Sequence, residues 1–168
     1  MTELEHLAER VRDAIPLTRH LAFRFTGFDG ATLTLTAPLA PNHNDKGTFF
    51  AGSQVALLTL AGWACTTLLA EALVAETVDI EGPVDVVAVE GNQRYRLPLD
   101  DDLTVITTVA DDDARRRFRE RLMRRGKATL TVDALATNPA GDTVCEYQGL
   151  YLARLPASDF PLRRPPSN

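Results

Sequence analysis

The chain has 168 residues, of which 45% are hydrophobic and 24% are charged, and its formal net charge is −5 at pH 7. That length fits one domain with a core large enough to bury a long helix. The negative net charge argues against general nucleic-acid binding, and the ordinary composition predicts a soluble cytoplasmic protein.

The N-terminal part of the chain carries two amphipathic patterns. Apolar residues at helical spacing over 4–15, preceded by Thr2 as a candidate N-cap, predict a short helix. Residues 22–28 then alternate between apolar and polar, Asp29-Gly30 favours a tight turn, and alternation resumes over 33–36. We therefore expect a β-hairpin after the first helix. The charged start of the chain lacks the pattern of a secretory signal.

An uncharged run extends from Gly47 to Ala70, and its apolar residues fall on every side of a helical wheel. A helix that is apolar all round must be buried all round, in protein or in lipid. The run is long enough to span a bilayer, which needs ~20 residues. It nevertheless contains several polar side chains and lacks flanking basic clusters and an aromatic belt. We expect a core helix of a folded protein, without membrane insertion.

The C-terminal half predicts four strands and one short helix. Three aspartates at 111–113 precede an arginine-rich stretch that ends at Gly126, which is the charge order and the stop signal of a helix. Gly91 is a candidate bulge in the first strand. The predicted strands span 85–98, 103–110, 128–136 and 144–153.

Together these elements predict a single α+β domain over residues 1–155, followed by a disordered tail at 156–168. About six strands with short connections form an antiparallel sheet, which can curve around the long helix. A single curved sheet leaves one side of that helix open. We therefore expect a second copy of the chain to cover it in a symmetric homodimer, with further pairing into tetramers left open.

A polar loop, residues 42–48, leads directly into the long helix. The first turn of a helix has free N–H groups and a partial positive charge, which stabilise an anion such as the oxyanion of an acyl group under attack. Asn44 can orient a water or polarise the carbonyl, and Thr59, farther along the helix, can add a second polar group. Three small residues let a substrate carbonyl approach the backbone. They are Ala51, Gly52 and Ser53.

Each of these polar residues also has a purely structural interpretation. Asn44 can hold the turn of its own loop, Ser53 can be the N-cap of the helix, and Thr59 can bond back to the preceding helical turn. His43 can be an ordinary surface residue, although histidine is the usual general base near neutral pH. The residue pattern alone leaves both interpretations open.

Several short motifs, taken in order, resemble a known family. The segment Asn44-Asp45-Lys46-Gly47-Thr48-Phe49-Phe50-Ala51-Gly52 is similar to the pattern Asn, two residues, Gly, two residues, His-Gly-Gly of the hotdog-fold acyl-thioesterases. Tyr95-Arg96-Leu97-Pro98 is similar to the Tyr-x-x-Pro that ends a strand in that family. Within the superfamily the chain resembles the YiiD-type thioesterase domain over residues 14–155. The motifs that carry this are Asn42-x-Asn44-x-x-Gly47-Thr48-x-Phe50, Leu60-Ala61-Gly62-Trp63 and Arg124-Arg125-Gly126-Lys127-Ala128.

The resemblance implies a hotdog fold, in which an antiparallel sheet wraps a long central helix, and hydrolysis of an acyl thioester of coenzyme A or acyl carrier protein. Coenzyme A would enter as part of the substrate, and no other cofactor is implied. By the same resemblance Asn44 orients water or the thioester, the backbone N–H of Ala51 binds the thioester oxygen, and a helix carboxylate from the partner subunit acts as base or nucleophile.

A second group of residues is expected to bind the substrate rather than to act on it. The two arginines at the end of the short helix can meet coenzyme A phosphates or an acidic carrier protein, although such charge runs usually form a solvated helix face. The remaining members belong to the polar loop and its junction with the helix. The group consists of Asn42, His43, Gly47, Thr48, Phe50, Arg124 and Arg125.

This sequence departs from the family pattern at two positions. Phe50 stands at the position of the histidine, and Thr59 stands at the position of the carboxylate. No Asp or Glu lies between Asp45 and Glu71, so a base must come from Asp45, His43 or another segment. The departures leave two other functions open: a hotdog protein that binds acyl thioesters without turnover, and a dehydratase or hydratase that uses His43 and Asp45.

Overall fold

The computed structural model describes residues 2–77 and 82–156. The predicted tail, apart from Pro156, lies outside these ranges. Two short 3-10 segments, Pro16–Leu21 and Ala40–Asn42, connect the regular elements. In chain order those elements are α1 (Glu3–Ala14), β1 (Arg24–Phe28), β2 (Thr32–Ala37), α2 (Ala51–Ala75), β3 (Asp85–Tyr95), β4 (Leu103–Val109), α3 (Asp112–Arg125), β5 (Lys127–Thr137) and β6 (Thr143–Arg154).

The six strands form one antiparallel sheet in the order β1-β2-β4-β5-β6-β3. α2 packs across one face of this sheet and contacts every strand from β2 to β3. The buried side chains of the helix and of the sheet form one core. The structure therefore confirms the predicted α+β architecture of a sheet wrapped around a long helix, and it makes β1 and β3 the two edges of the sheet.

α2 has 25 residues, which corresponds to about 38 Å of helix. Its length and hydropathy would suit a membrane span, but 61% of its most apolar window is buried inside the protein, as in the core helix of a folded domain. One side of its first half stays accessible to solvent. We call this side the open stripe; it consists of Gly52, Ala56, Thr59 and Trp63, spaced three or four residues apart.

The N-terminal helix and the hairpin form as predicted. Thr2 caps α1: its hydroxyl accepts from the Glu5 N–H at 3.2 Å, and the Glu5 carboxylate accepts from the Thr2 N–H at 2.7 Å. The hairpin turn lies one residue later than Asp29-Gly30. The Asp29 carboxylate accepts from the N–H groups of Ala31 and Thr32 at 2.9 and 2.7 Å, and these backbone bonds lower the Asp29 pKa. That cap places Gly30 and Ala31 at the centre of the turn.

The expected bulge at Gly91 is wrong. β3 is bulged between Ala88 and Glu90, and Gly91 pairs in register with Gly149 of β6. A Cβ at Gly91 would lie 3.0 Å from the Tyr147 hydroxyl oxygen. The glycine is therefore needed for the close approach of a buried tyrosine, which a strand pattern read from the sequence does not reveal.

α3 lies at the far end of the central helix. Asp111 caps its start by accepting from the Ala114 N–H, and Gly126 ends it with a φ of +70°, as the sequence predicted. An ion pair of 2.9 Å joins Arg119 to Glu76, which directly follows α2. The arginine-rich helix is therefore close to the C-terminal end of α2, and the polar loop is at the other end.

Candidate functional site

Asn42 anchors the polar loop beneath its surface. It is only 2% exposed, and its side-chain amide donates to the carbonyl oxygens of Leu21 and Pro38 at 2.9 and 2.8 Å. Its own carbonyl accepts from the Phe50 N–H at 2.7 Å. Its Oδ1 has no hydrogen-bond partner within the described residues. Asn42 thus ties the loop both to the preceding segment and to the start of α2.

Asn44 closes the loop on Thr48. Its Oδ1 accepts from the backbone N–H groups of Lys46 and Thr48 at 2.9 and 3.1 Å, and its Nδ2 donates to the Thr48 hydroxyl at 2.9 Å. Backbone N–H groups can only donate, so they fix which end of the amide is oxygen. The structural interpretation of Asn44 is confirmed. In the described part of the chain one N–H of its amide stays without a partner, so Asn44 can still donate one hydrogen bond.

His43 and Gly47 shape the exposed side of the loop. The His43 backbone forms a β-bridge with Phe49, and its Nδ1 lies 3.0 Å from the Asn44 carbonyl oxygen. A carbonyl can only accept, so Nδ1 carries the proton and Nε2 of the neutral ring keeps a lone pair. Gly47 has a φ of +75°, which a residue with a Cβ rarely adopts. It lets the chain turn back toward the helix.

The first turn of α2 presents backbone N–H groups at the end of this loop. The N-cap residue is Phe50, whose side chain makes no capping hydrogen bond, and the first helical N–H groups have no intrahelical acceptor. They belong to Ala51, Gly52 and Ser53, of which the first two are exposed. The prediction that Ser53 is the N-cap is wrong, because the bond between Phe50 and Asn42 sets the start of the helix three residues earlier.

Two aromatic rings frame this helix start. Phe50 is 53% exposed, and a Cβ built at Gly52 would lie 2.4 Å from its ring, so the ring lies directly over the first turn. On β3, the Tyr95 hydroxyl donates to the Ala51 carbonyl at 3.0 Å. Partial burial raises the Tyr95 pKa, which keeps the hydroxyl protonated as a donor. The helix start is therefore held against the edge strand.

Thr59 lies two turns along the open stripe and is half-buried. Among the described residues the Thr59 hydroxyl makes no hydrogen bond back to the helix. Thr66 and Thr67 differ in this, because each of their hydroxyls donates to the carbonyl oxygen four residues earlier at 2.9 Å. The Thr59 carbonyl accepts a hydrogen bond from Tyr151 at 2.8 Å. Its backbone is thus fixed, while its hydroxyl is available on the stripe.

Sequence reasoning missed a pair of buried tyrosines behind Thr59. Tyr147 and Tyr151 project from β6, and their hydroxyl oxygens lie 2.8 Å apart. Because the Tyr151 proton goes to the Thr59 carbonyl, Tyr147 is the donor between the two hydroxyls. The signal in the sequence was Tyr-x-Gly-x-Tyr at 147–151, which places two tyrosines on one face of a strand around Gly149. This pair sets the distance between α2 and the sheet.

The candidate arginines lie apart from the loop. Arg124 and Arg125 are exposed in the last turn of α3, near the C-terminal end of α2. Within one protomer the structure therefore brings the loop, the helix start and Thr59 together along α2, and it places the two arginines at the opposite end of that helix.

Neither cysteine is suited to be a nucleophile. Cys65 and Cys145 are both buried and free. Burial, with a smaller contribution from Asp29, raises the pKa of Cys65 to about 12, and burial also raises the pKa of Cys145. The thiolate is the reactive form of cysteine. Across residues 2–77 and 82–156, no group of three or more His, Cys, Asp or Glu side chains is arranged to hold a metal ion.

Residues 4–155 match the family model described as "Putative thioesterase (yiiD_Cterm)". The chain belongs to this family. No curated protein matches it significantly. The YiiD-type assignment covers all the regular elements except the first residue of α1, so the loop, the open stripe and the arginine-rich helix all belong to the matched domain.

Solved structures share the same architecture. A "putative thioesterase" from Shewanella oneidensis superposes with a TM-score of 0.74 at 27% identity, over 91% of this chain and 97% of that one. A protein of unknown function from Chlorobaculum tepidum TLS gives 0.74 at 26% identity, over 89% and 93%. A thioesterase from Haemophilus influenzae has a TM-score of 0.69 at 15% identity, over 92% of each chain. These similarities confirm the hotdog fold.

Within this YiiD-type domain, the start of α2 is built to stabilise negative charge. Backbone N–H groups of the first helical turn and the Asn44 amide are all donors, and the helix adds its partial positive charge. The part of α2 from Ala51 to Ala70 offers no acid, because no Asp or Glu lies between Asp45 and Glu71. The start of α2 can therefore hold an anion, and the helix beside it offers no carboxylate up to Glu71.

Proposed function

We propose that this protein hydrolyses acyl thioesters of coenzyme A or acyl carrier protein at the start of α2. The observation that carries the proposal is the pair of N–H donors at Ala51 and Gly52, for which residues 2–77 and 82–156 provide no acceptor, beside the loop closed by Asn44. Donors placed where charge develops contribute about 10²–10³ in rate each. Membership of the thioesterase family supports the reaction class.

In the proposed reaction the thioester oxygen accepts from the Ala51 and Gly52 N–H groups, and the remaining Asn44 N–H donates to that oxygen or to the attacking water. The water attacks the carbonyl carbon and gives a proton to a base. The tetrahedral intermediate then breaks its carbon–sulfur bond, and the leaving thiolate takes the proton from the base. The products are a carboxylic acid and a free thiol. Thr59 stands at the position of the family carboxylate, which by the resemblance acts from the partner subunit, so in a dimer it would hold the water of the other copy's site.

His43 is the better of the two loop candidates for the base. Its Nδ1 is occupied by the Asn44 carbonyl, which leaves Nε2 able to take a proton. The Asp45 carboxylate is instead paired with the Lys46 ammonium at 3.2 Å, and both side chains are largely exposed. An imidazole that is already oriented by a second hydrogen bond is the usual arrangement of a general base.

An acyl-thioester-binding protein without turnover is the second candidate function. The observation that favours it is that Thr59 stands at the position of the family carboxylate and that no Asp or Glu lies between Asp45 and Glu71. The same N–H donors would then hold the thioester oxygen in the ground state, which gives binding without acceleration. The two functions share the site and differ only in whether water is activated.

We further propose that two copies of the chain pair along β3. This edge strand is exposed along almost its whole length, with only Val86 buried, and its Val87 and Val89 side chains are 38% and 50% exposed. An unpaired apolar strand edge is a natural site for pairing with another strand. A two-fold axis at this edge makes the two β3 strands antiparallel, so the second copy would cover the open stripe.

The same dimer would bring the arginines of the partner toward the helix start. Arg154, at the end of β6, pairs with Lys127 at the start of β5 and with Asp85 at the start of β3. Arg124 and Arg125 come just before Lys127 in the chain, so they lie at the end of the sheet where β3 begins. In an antiparallel pair the beginning of one β3 faces the end of the other. Arginines from the partner subunit would then meet the phosphates of coenzyme A, or the acidic surface of a carrier protein.

Charge reversal at both arginines should raise KM for acyl-coenzyme A about tenfold, as expected for the loss of about 1.4 kcal/mol of binding. The variant is Arg124→Glu with Arg125→Glu, and kcat should change little, because these side chains contact only the phosphate end of the substrate. Arg117→Glu, exposed on the same helix, is the matched control. Sedimentation equilibrium would establish that the variants keep the dimer. A wild-type KM that is unchanged across a salt series would contradict the arginine contact.

The proposed function is tested by thiol release from acyl-coenzyme A thioesters, from acetyl to hexadecanoyl and including aromatic acyl groups. Turnover that depends on Asn44 and His43 is the expected result. Saturable binding of the same thioesters without release of thiol would instead select the binding function. Failure of both binding and turnover with coenzyme A and carrier-protein thioesters would overturn the proposal.

A further inference from the structure

Trp63 ends the open stripe of α2. On its N-terminal side, Ala56 and Thr59 are half-buried and accessible from solvent. On its C-terminal side, along the same side of the helix, Thr66 and Ala70 are both 0% exposed. The accessible part of the helix therefore stops at the indole.

The face of β3 that is turned toward α2 also changes from exposed to buried near Trp63. Tyr95, Gly91 and Ala88 lie on the strand face that is turned toward α2, because their partners on β6 are buried, and all three are exposed. Val86, farther along the same face, is buried. The indole Nε1 of Trp63 donates to the Val86 carbonyl at 2.8 Å. The ring is thus fixed across the gap between the helix and the edge strand.

We call the space between the accessible side of α2 and this face of β3 the gap, and apart from Tyr95 the groups on its two sides are small and uncharged. Ala56 and Thr59 face it from α2, and Gly91 faces it from β3. Beneath Gly91 lies the hydroxyl of Tyr147, which is 4% exposed. At one end the gap begins beside the N–H groups that would hold a thioester oxygen, where the Tyr95 hydroxyl reaches the Ala51 carbonyl at 3.0 Å. At the other end it is closed by Trp63.

We infer that Trp63 is the end-stop of the acyl groove and sets the length of acyl chain that the protein accepts. The inference rests on the proposed thioester site and adds a specificity-determining residue to it. An apolar acyl arm gains free energy by leaving water for this gap. The polar pantetheine arm and its phosphates stay on the loop side, where solvent and charged groups are available.

The helix geometry gives the length of the groove. From Gly52 to Trp63 the helix rises about 16 Å. A helical side chain covers the turn N-terminal to its own Cα, so the indole occupies about 5 Å of that length. About 11 Å is left, and an extended alkyl chain advances about 1.25 Å per carbon because its tetrahedral bonds are about 1.5 Å long. The groove therefore fits an acyl chain of about eight carbons.

The first test uses the intrinsic fluorescence of Trp63, the only tryptophan in the chain. The wild-type full-length protein is titrated with hydrolysis-resistant thioether analogues of acyl-coenzyme A, from acetyl to hexadecanoyl, and with coenzyme A alone. We expect the emission to change only when the chain reaches the indole, close to octanoyl. A change that is the same for coenzyme A and for every chain, or no change with any chain that binds, would overturn the end-stop.

The second test moves the end-stop. Trp63→Ala should extend the longest chain that binds well by about four carbons, because it frees about 5 Å of groove. Trp63→Phe, which keeps an aromatic ring, is the matched control and should keep the wild-type limit. Trp63→Leu replaces alanine if the smaller residue prevents folding, as judged by circular dichroism. The same chain-length limit in the shortened variant and in the wild type would overturn the inference.

These measurements separate the end-stop from the proposed hydrolysis. Binding of the thioethers is read without any turnover, so a chain-length threshold at Trp63 can stand even when thiol release is absent. Conversely, hydrolysis with a length profile that Trp63→Ala leaves unchanged would support the proposed function and reject the end-stop. Absence of binding by every analogue rejects both.

Discussion

Replacing Asn44 with alanine should lower kcat/KM for the preferred acyl-coenzyme A by at least about a hundredfold, the range seen when one oxyanion donor is removed. The side chain makes three hydrogen bonds that close the loop on Thr48, and it carries a further N–H that can reach the substrate. Alanine removes both. Thiol release gives the rate, and circular dichroism and sedimentation should show the same fold and the same oligomeric state as the wild type.

Two control variants separate the loop from the chemistry. Asn44→Asp keeps an oxygen to accept from the N–H groups of Lys46 and Thr48, but it replaces the amide donor with a negative charge. Thr48→Val removes one bond of the loop and keeps the Asn44 amide. We expect aspartate to be about as inactive as alanine, and Thr48→Val to stay within about tenfold of wild type. Wild-type rates in Asn44→Ala would remove Asn44 from the mechanism, and an equal loss in Thr48→Val would make its role structural.

The fold was largely predictable because its main signals are local or periodic. The uncharged run that became α2, the Thr2 cap of α1 and the Gly126 stop of α3 each depend on residues close in sequence. The start of α2 was displaced, because a loop closed by its own hydrogen bonds ends at Phe50, and the hairpin turn and the bulge of β3 were displaced as well. Hydrogen bonds between loop side chains and backbone decide such boundaries, and hydrophobic periodicity does not detect them.

The site was predictable only in part, for a different reason. The donor character of the helix start follows from helix geometry alone, so the sequence was enough to place it. The tyrosine pair at 147 and 151 is invisible to that reasoning, because its contacts are with Thr59 and Gly91, which lie far away in the chain. The same holds for the bond from Trp63 to Val86. Long-range contacts of this kind determine the groove, and a single sequence does not reveal them.

The missing carboxylate remains the most informative departure from the family pattern. A threonine hydroxyl cannot take a proton from water at neutral pH, so Thr59 can orient water but cannot activate it. An activating group must then approach from outside α2, and His43 has a ring nitrogen available for this. In the proposed reaction the oxyanion donors therefore stay on the rigid helix, and the base is on the loop.

Gly149→Ala should be strongly destabilising. Its Cβ would lie 2.6 Å from the Tyr151 ring and 2.7 Å from the Tyr147 hydroxyl, and both tyrosines are almost fully buried, so neither ring can swing into solvent. Overpacking of this kind costs about 1–3 kcal/mol and occasionally more. For a chain of this size that corresponds to a fall in Tm of about 3–10 °C. Thermal unfolding followed by circular dichroism measures it.

Gly27→Ala is the matched control, because Gly27 is also in a strand and a Cβ there would meet nothing within 4 Å. Its free energy of unfolding should stay the same or rise by up to about 1 kcal/mol, since alanine restricts the unfolded chain. Equal stability of the two variants would show that the two tyrosine rings can move away from the new methyl group at little cost in free energy. A large loss at Gly149 alone would instead show that the pair fixes the distance between β6 and α2. Because Tyr151 bonds to the Thr59 carbonyl, that distance also positions the open stripe. Folded Gly149→Ala protein should therefore bind acyl thioesters more weakly than Gly27→Ala protein.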